Sequence, residues 1–342
     1  MDTPSACSDC GTTLTAAMLA CPRCGRLVHS ESLKRLVAAA EAAQAAGDHS
    51  TALASYREAL PLLPVTSRQH AVLLARTGEL SAKVAAGGPA ASPEKPPAPA
   101  WIKRLGPLGA VALLIWKFKF VLVTVVSQAK FLLLGLTKAT TLFSMLLSMG
   151  AYWAIYGWRF AVGLIASIYV HEMGHVATLR RFGMPATAPM FIPGVGALVR
   201  LGSHPVSAAE NARVGLAGPL WGLYAALFCY GLGALTFGQT SVWSAIARAG
   251  AWINLFNLMP VWQLDGARGF TALSRRHRFS VTAAFATAWA LTGEGLLALI
   301  SLIALTVSFR RDAPEQSDPP IVVRFFLLIA ALTYLTTIKV KV

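Results

Sequence analysis

Charge is scarce in this chain of 342 residues: 13% of positions carry it, while 55% are hydrophobic. An ordinary soluble domain is about 25% charged. That shortage, with a mean hydropathy of +0.57, argues against a wholly soluble globular protein. Acids are the scarcer sign, 15 Asp and Glu against 30 Lys and Arg, and the imbalance belongs to one half. Before Trp101 there are 9 basic and 8 acidic residues; from Trp101 onward there are 21 and 7. A basic excess riding on apolar sequence points to membrane flanks facing anionic lipid, and no nucleic-acid partner is expected. Cysteine is sparse as well. Four of the five cysteines form two CxxC pairs, which disfavours an extracellular disulfide framework. Residues 1–19 lack the basic start and apolar core of a secretory leader, and no repeat runs along the chain.

What is present falls into four zones: 1–29 with the CxxC pairs, 30–85 helical, 86–100 a linker rich in Pro, Ala and Gly, and 101–342 membrane-like. A bilayer-spanning helix needs about 20 mostly apolar residues. About six such spans are expected, near 139–158, 160–179, 212–237, 243–262, 281–308 and 321–338. The stretch 105–138 is apolar but interrupted by Lys117, Lys119, Lys130 and Lys138. It reads as one or two interfacial amphipathic helices with snorkelling lysines, a true first span being the alternative. Arg180, Arg181, Arg275, Arg276 and Arg278 fall on one side of this layout, which the positive-inside rule makes cytoplasmic. The pair Arg310 and Arg311 falls on the other side, diluted by Asp312, Glu315 and Asp318. The N-terminal zone is then cytoplasmic too, which suits reduced cysteines.

The run His171-Glu172-Met173-Gly174-His175 is HExxH inside an apolar helix. Histidines at i and i+4 share a helical face and can bind one metal, and Glu172 beside them can take a proton from a metal-bound water. Only seven acids follow Trp101, and of these Glu172, Asp265 and Glu294 alone fall in or beside apolar spans. Asp265 is the leading third ligand. It ends the run Asn257 to Gly266, where Pro260 breaks an apolar helix. Asn257 could donate to a substrate carbonyl or oxyanion, or be a helix–helix hydrogen-bonding residue. Glu294, between two glycines, reads as a structural polar contact. His204 and His277 read as solvated, as do the three N-terminal histidines, and Cys229 as a core residue. Residues 183–201, rich in Pro and Gly, read as a re-entrant loop or short hairpin that lines a water path and offers an edge to extended substrate.

From about Ser144 to Gly269 the chain resembles the site-2 protease family of membrane-embedded zinc metalloproteases. The likeness rests on His171-Glu172-Met173-Gly174-His175, on Ala217-Gly218-Pro219-Leu220, and on Asn257-x-x-Pro260 leading to Leu264-Asp265-Gly266. It implies zinc ligation by His171, His175 and Asp265, with Glu172 as general base and acid. Such proteins often carry further prolines before the aspartate and two glycines after it. Here stand Trp262-Gln263 and Gly266-Ala267, departures that touch substrate fit more than metal ligation. No PDZ-like insertion is visible.

In the N-terminal zone Cys7-x-x-Cys10 and Cys21-x-x-Cys24 have the spacing of a small zinc ribbon, whose four thiolates close a structural site. Residues 33–64 read as a helical hairpin turning at Gly47-Asp48. They resemble one tetratricopeptide unit, with helix 67–84 as its capping partner. The hairpin is either a docking site for a cytoplasmic protein or a spacer. The whole is expected to be a mainly α, polytopic membrane protein: an intramembrane zinc endopeptidase cutting transmembrane substrates, with one catalytic and one structural zinc. A catalytically silent membrane adaptor is the alternative, but it has no need of a water-activating Glu172. A transporter would spread its acids over several spans.

Overall fold

The computed structural model describes residues 6–15, 18–86, 139–186, 189–192, 196–198, 205–236 and 242–340. The proposed interfacial segment 105–138, His204 and nearly all of the linker lie outside them. The chain divides into two compact units. The first comprises Met1–Ala90, Leu179–Pro185 and Leu201–Glu210; the second holds the rest.

The first unit opens with two copies of one turn. In each, a cysteine carbonyl accepts from the glycine four residues on, Gly11 to Cys7 and Gly25 to Cys21, both at 2.9 Å. Both glycines have positive φ, 70° and 73°, where a side chain would be strained. Helices α1 (Ser30–Ala45), α2 (His49–Ala59) and α3 (Arg68–Ala86) follow. The turn between α1 and α2 uses Gly47 at φ 76° and then Asp48, whose carboxylate accepts from the Thr51 backbone N–H at 3.0 Å. That bond satisfies one of the donors every helix start leaves open. Two further bonds to Asp48, from the Thr51 and Ser50 hydroxyls, help hold its carboxyl down at about 2. Ala40, Ala52, Tyr56 and Ala59 are fully buried between the helices, the small residues allowing close approach. Helices α1 and α2 form a hairpin about this turn, with α3 following.

Within the same unit this helical bundle is bonded to segments distant in sequence. Arg57 on α2 pairs with Glu210, and both side chains are almost fully buried. Glu210 also accepts from the Ser81 hydroxyl at 3.1 Å and the Val206 N–H at 3.2 Å. Arg181 donates to the Val84 carbonyl at 2.7 Å.

Among its described residues the second unit is helical apart from one hairpin. Its elements are α4 (Ala139–Tyr156), α5 (Trp158–Arg181), β1 (Met190–Ile192), β2 (Gly196–Leu198), α6 (Ala208–Gly215), α7 (Ala217–Thr236), α8 (Val242–Asn257), α9 (Asp265–Phe270), α10 (Arg275–Thr292), α11 (Gly295–Ser308) and α12 (Pro319–Thr336). Strands β1 and β2 pair antiparallel, with Met190 opposite Leu198, so the Pro- and Gly-rich stretch contains a short hairpin. Phe191 stacks on Tyr169 of α5, and its N–H donates to the Ser144 hydroxyl of α4 at 3.1 Å.

Among the described residues three helical stretches are long and apolar enough to cross a membrane: Trp158–Arg181, Ala208–Leu235 and Pro319–Thr336. Thr141–Tyr156 and Gly295–Ser308 are apolar but shorter. Two expected spans are redrawn. Residues 281–308 form not one span but two packed helices, because Gly293 turns left-handed at φ 70° and caps α10. The span expected over 243–262 stops at Asn257; its 16 residues reach about 24 Å, short of a hydrocarbon core of about 30 Å. Leu216, Leu255, Leu258, Phe285, Phe325 and Leu328 form the dry interior. Phe143, Leu147, Phe228, Leu235 and Leu302 are exposed, an apolar exterior suited to lipid. The buried Arg278 donates from Nε to the Phe270 and Leu273 carbonyls, both at 3.2 Å, and pairs with Asp312 at 2.6 Å. It thereby satisfies the C-terminal carbonyls around α9.

Candidate metal centre

Helix α5 carries His171 and His175 one turn apart, and α9 begins at Asp265. The two Nε2 atoms lie 3.3 Å from each other. One Asp265 oxygen lies 3.1 Å from His171 Nε2 and the other 3.2 Å from His175 Nε2. All three side chains are buried.

The outer ring nitrogens decide what the inner ones can do. His175 Nδ1 is 2.9 Å from the Val214 carbonyl, an acceptor only, so Nδ1 carries the proton and donates. His171 Nδ1 is 2.8 Å from Asn254 Oδ1, while Asn254 Nδ2 donates to the Gly250 carbonyl at 2.7 Å. That second bond fixes which end of the amide faces the ring. In their neutral forms both imidazoles therefore turn an unprotonated Nε2 toward the carboxylate. Three acceptors converge with no donor among them, which is the donor set of a cation.

The spacing fits zinc. Two atoms each about 2.0–2.1 Å from one tetrahedral zinc stand about 3.3 Å apart, close to the three separations observed. Two imidazole nitrogens and one carboxylate are the donor set of catalytic zinc sites rather than of the cysteine-rich structural ones.

Glycines make the space. A methyl group on Gly218 would collide with Nε2 of both histidines, and one on Gly222 with the Asn254 amide. These glycines are four apart and share one face of α7, the small-residue spacing that lets membrane helices approach closely. Gly174 on α5 likewise faces Ala217 and Trp221.

Glu172, next to His171, is buried in the same helix. Asn257 ends α8 with its Nδ2 3.5 Å from His171 Nε2, a weak contact that sets the amide beside the metal-facing nitrogen. Glu294 lies away from this cluster in sequence and element, as the residue before α11. Sequence reasoning missed Asn254 and the Val214 carbonyl. Asn254 left a signal, a polar side chain within an apolar helix; a backbone carbonyl leaves none.

In the first unit the four ribbon cysteines also converge. Cys7 and Cys24 sulfurs are 3.6 Å apart, Cys10 and Cys21 sulfurs 3.5 Å, and all four lie within 4.8 Å of one another. Sulfurs about 2.3 Å from a tetrahedral zinc stand about 3.8 Å apart, so this set fits as well. The backbone N–H groups of Cys24 and Arg23 lower the pKa of the Cys21 thiol, while that of Cys24, beside the other sulfurs, is raised. Cys229 is buried on α7 among Ile246 and Ala247, as expected of a core residue.

Residues 159–249 match Peptidase family M50. The likeness to site-2 proteases stands. The chain is also 30% identical over 170 residues to "Putative zinc metalloprotease Rip3" of Mycobacterium tuberculosis, in both the Erdman and the H37Rv strain. The matched stretch covers 46% of this chain and 42% of each relative, so the chain spans less than half the length of the curated relatives it matches. The M50 segment holds His171, Glu172, His175 and Gly218 but ends before Asp265. Asp265, outside that segment, is brought to the histidines by the fold.

Proposed function

We propose that this protein is an intramembrane zinc endopeptidase that hydrolyses peptide bonds of membrane-embedded or membrane-proximal substrates. The observation that carries the reading is the convergence of two bare imidazole nitrogens and one carboxylate in a dry, mostly apolar bundle. The M50 match over the same helices supports it. His171, His175 and Asp265 hold the ion, while Asn254 and the Val214 carbonyl fix both rings in the ligating tautomer. When bound, zinc supplies a Lewis acid and makes a neighbouring water acidic. Glu172 takes the proton from the attacking water and returns it to the leaving amine. Asn257 donates its amide N–H to the developing oxyanion. The β1–β2 hairpin offers backbone to a substrate segment that has left its helix, because a carbonyl bonded within a helix is shielded from attack.

The domain plan that goes with this is a cytoplasmic ribbon at 1–29 with its own structural zinc, a helical hairpin at 30–85, a linker at 86–100 and the protease at 101–342. The protease domain is multi-pass, with the basic ends of α5 and α10 on the cytoplasmic side. The hairpin docks a cytoplasmic protein. The test is Glu172→Gln in the full-length, zinc-loaded protein in liposomes. It should retain zinc and lose cleavage of a helical single-span substrate; unchanged turnover would remove the mechanism.

A further inference from the structure

Between Asn257 and Asp265 the chain makes a closed loop. Two tight turns follow each other: Val261 N–H bonds to the Met259 carbonyl at 2.9 Å, and Leu264 N–H to the Val261 carbonyl at 3.2 Å. The base of the loop is clamped, since Gly266 lies so close to the Leu258 backbone that a Cβ there would strike its carbonyl. Trp262 stands at the tip. It is 92% exposed and has φ 51°, the single positive-φ non-glycine among the described residues. A left-handed conformation costs an L-residue about 1–2 kcal/mol, and this turn position would ordinarily go to Gly, Asn or Asp. A large aromatic side chain is thus held in a strained turn and projected away from its own protein. Such strain persists where the surroundings enforce it, and it gathers at ligand clamps and active sites.

Its neighbours say what it serves. Two residues separate Trp262 from Asp265, so along the chain its Cα lies within about 11 Å of the metal-facing carboxylate residue. Asn257 begins the same loop. Gln263 beside it is exposed, and non-helical backbone at membrane depth survives only against protein or water, so the tip faces a wet mouth rather than lipid chains. Anchoring at a membrane interface would not require strain. Trp153, Trp252 and Trp289 are exposed on regular helices, where anchoring needs no unusual backbone.

We propose that Trp262 is a specificity-determining residue that packs its indole on an apolar side chain flanking the scissile bond, favouring substrates with an aromatic or large aliphatic residue there. This rests on the protease reading above.

The experiment uses full-length protein in liposomes and an epitope-tagged single-span helix, weakened by Gly-Pro near mid-span, that carries Phe beside the cleavage point. Trp262→Gly should raise KM about five- to tenfold, the scale of a lost aromatic contact. Zinc content and melting temperature should not fall, because glycine accepts this φ; Trp262→Phe should restore KM to within about twofold. Benzoylphenylalanine at position 262 in the Glu172→Gln background should crosslink to the substrate. A wild-type KM for Trp262→Gly, crosslinking to lipid alone, or a lowered melting temperature with KM unchanged would overturn the proposal and leave the protease intact. Absence of cleavage by the zinc-loaded wild type would overturn the protease reading itself, and this proposal with it.

Discussion

Asn254 holds His171 by the ring nitrogen that faces away from the metal position, its Oδ1 2.8 Å from Nδ1. The same amide is pinned by the Gly250 carbonyl one turn earlier. Such partners set the tautomer and orientation of a ligating histidine, and losing one typically costs 10–100-fold in metal affinity or activity. Asn254→Leu should weaken the membrane zinc site by about that factor in a chelator competition. Unaltered affinity would show that His171 is oriented by something else.

Gly218, on α7, bears instead on the metal-facing Nε2 atoms of both histidines. Gly218→Ala places a methyl against both Nε2 atoms, and a packed bundle cannot yield that space without moving a helix. The expected result is loss of membrane zinc and of cleavage, with helix content by circular dichroism unchanged. Gly222→Ala should act more mildly, since it reaches the metal only through Asn254.

The two metal sites are separate in sequence and in donor chemistry, so they should empty separately. Metal analysis should find two zinc ions per wild-type chain. Cys7→Ser combined with Cys21→Ser should leave one, and His171→Ala should leave the other. Ribbon zinc contributes about 10–16 kcal/mol of apparent binding energy in small domains of this kind. The double cysteine variant should therefore expose residues 6–29 to protease while the membrane domain resists.

Arg57 and Glu210 form a buried pair 153 positions apart in sequence. Removing one partner of such a pair costs about 3–5 kcal/mol, whereas replacing both with apolar residues is often neutral. Arg57→Ala should loosen the helical bundle of the first unit, seen as faster amide exchange in α2 and α3. Arg57→Met with Glu210→Leu should recover most of that protection. A single variant as protected as wild type would mean that the pair contributes little.

The parts of this molecule legible in sequence are those whose chemistry is written in residue type at a fixed spacing. HExxH on an apolar helix, a lone Asp after a broken helix, and paired CxxC runs each announced their geometry, and each set of donors converges. The hairpin at Gly47-Asp48 was legible for the same reason: one residue permits the turn and the next caps the helix. Hydropathy misled where a turn hides inside an apolar run. Residues 281–308 average out as one span, yet Gly293 divides them. Asn257 drew notice through its motif, while Asn254, one turn earlier and better placed to hold His171, did not. The Arg57–Glu210 pair was invisible because nothing local links residues so far apart.

Zinc K-edge absorption on the Cys7→Ser/Cys21→Ser variant tests the central claim most directly, because only the membrane site can then hold metal. The account predicts one zinc per chain with a shell of nitrogen and oxygen at about 2.0–2.1 Å, including imidazole scattering from two rings, and loss of that zinc in an added Asp265→Ala. A chain without zinc, or zinc that persists unchanged after Asp265→Ala, would contradict it.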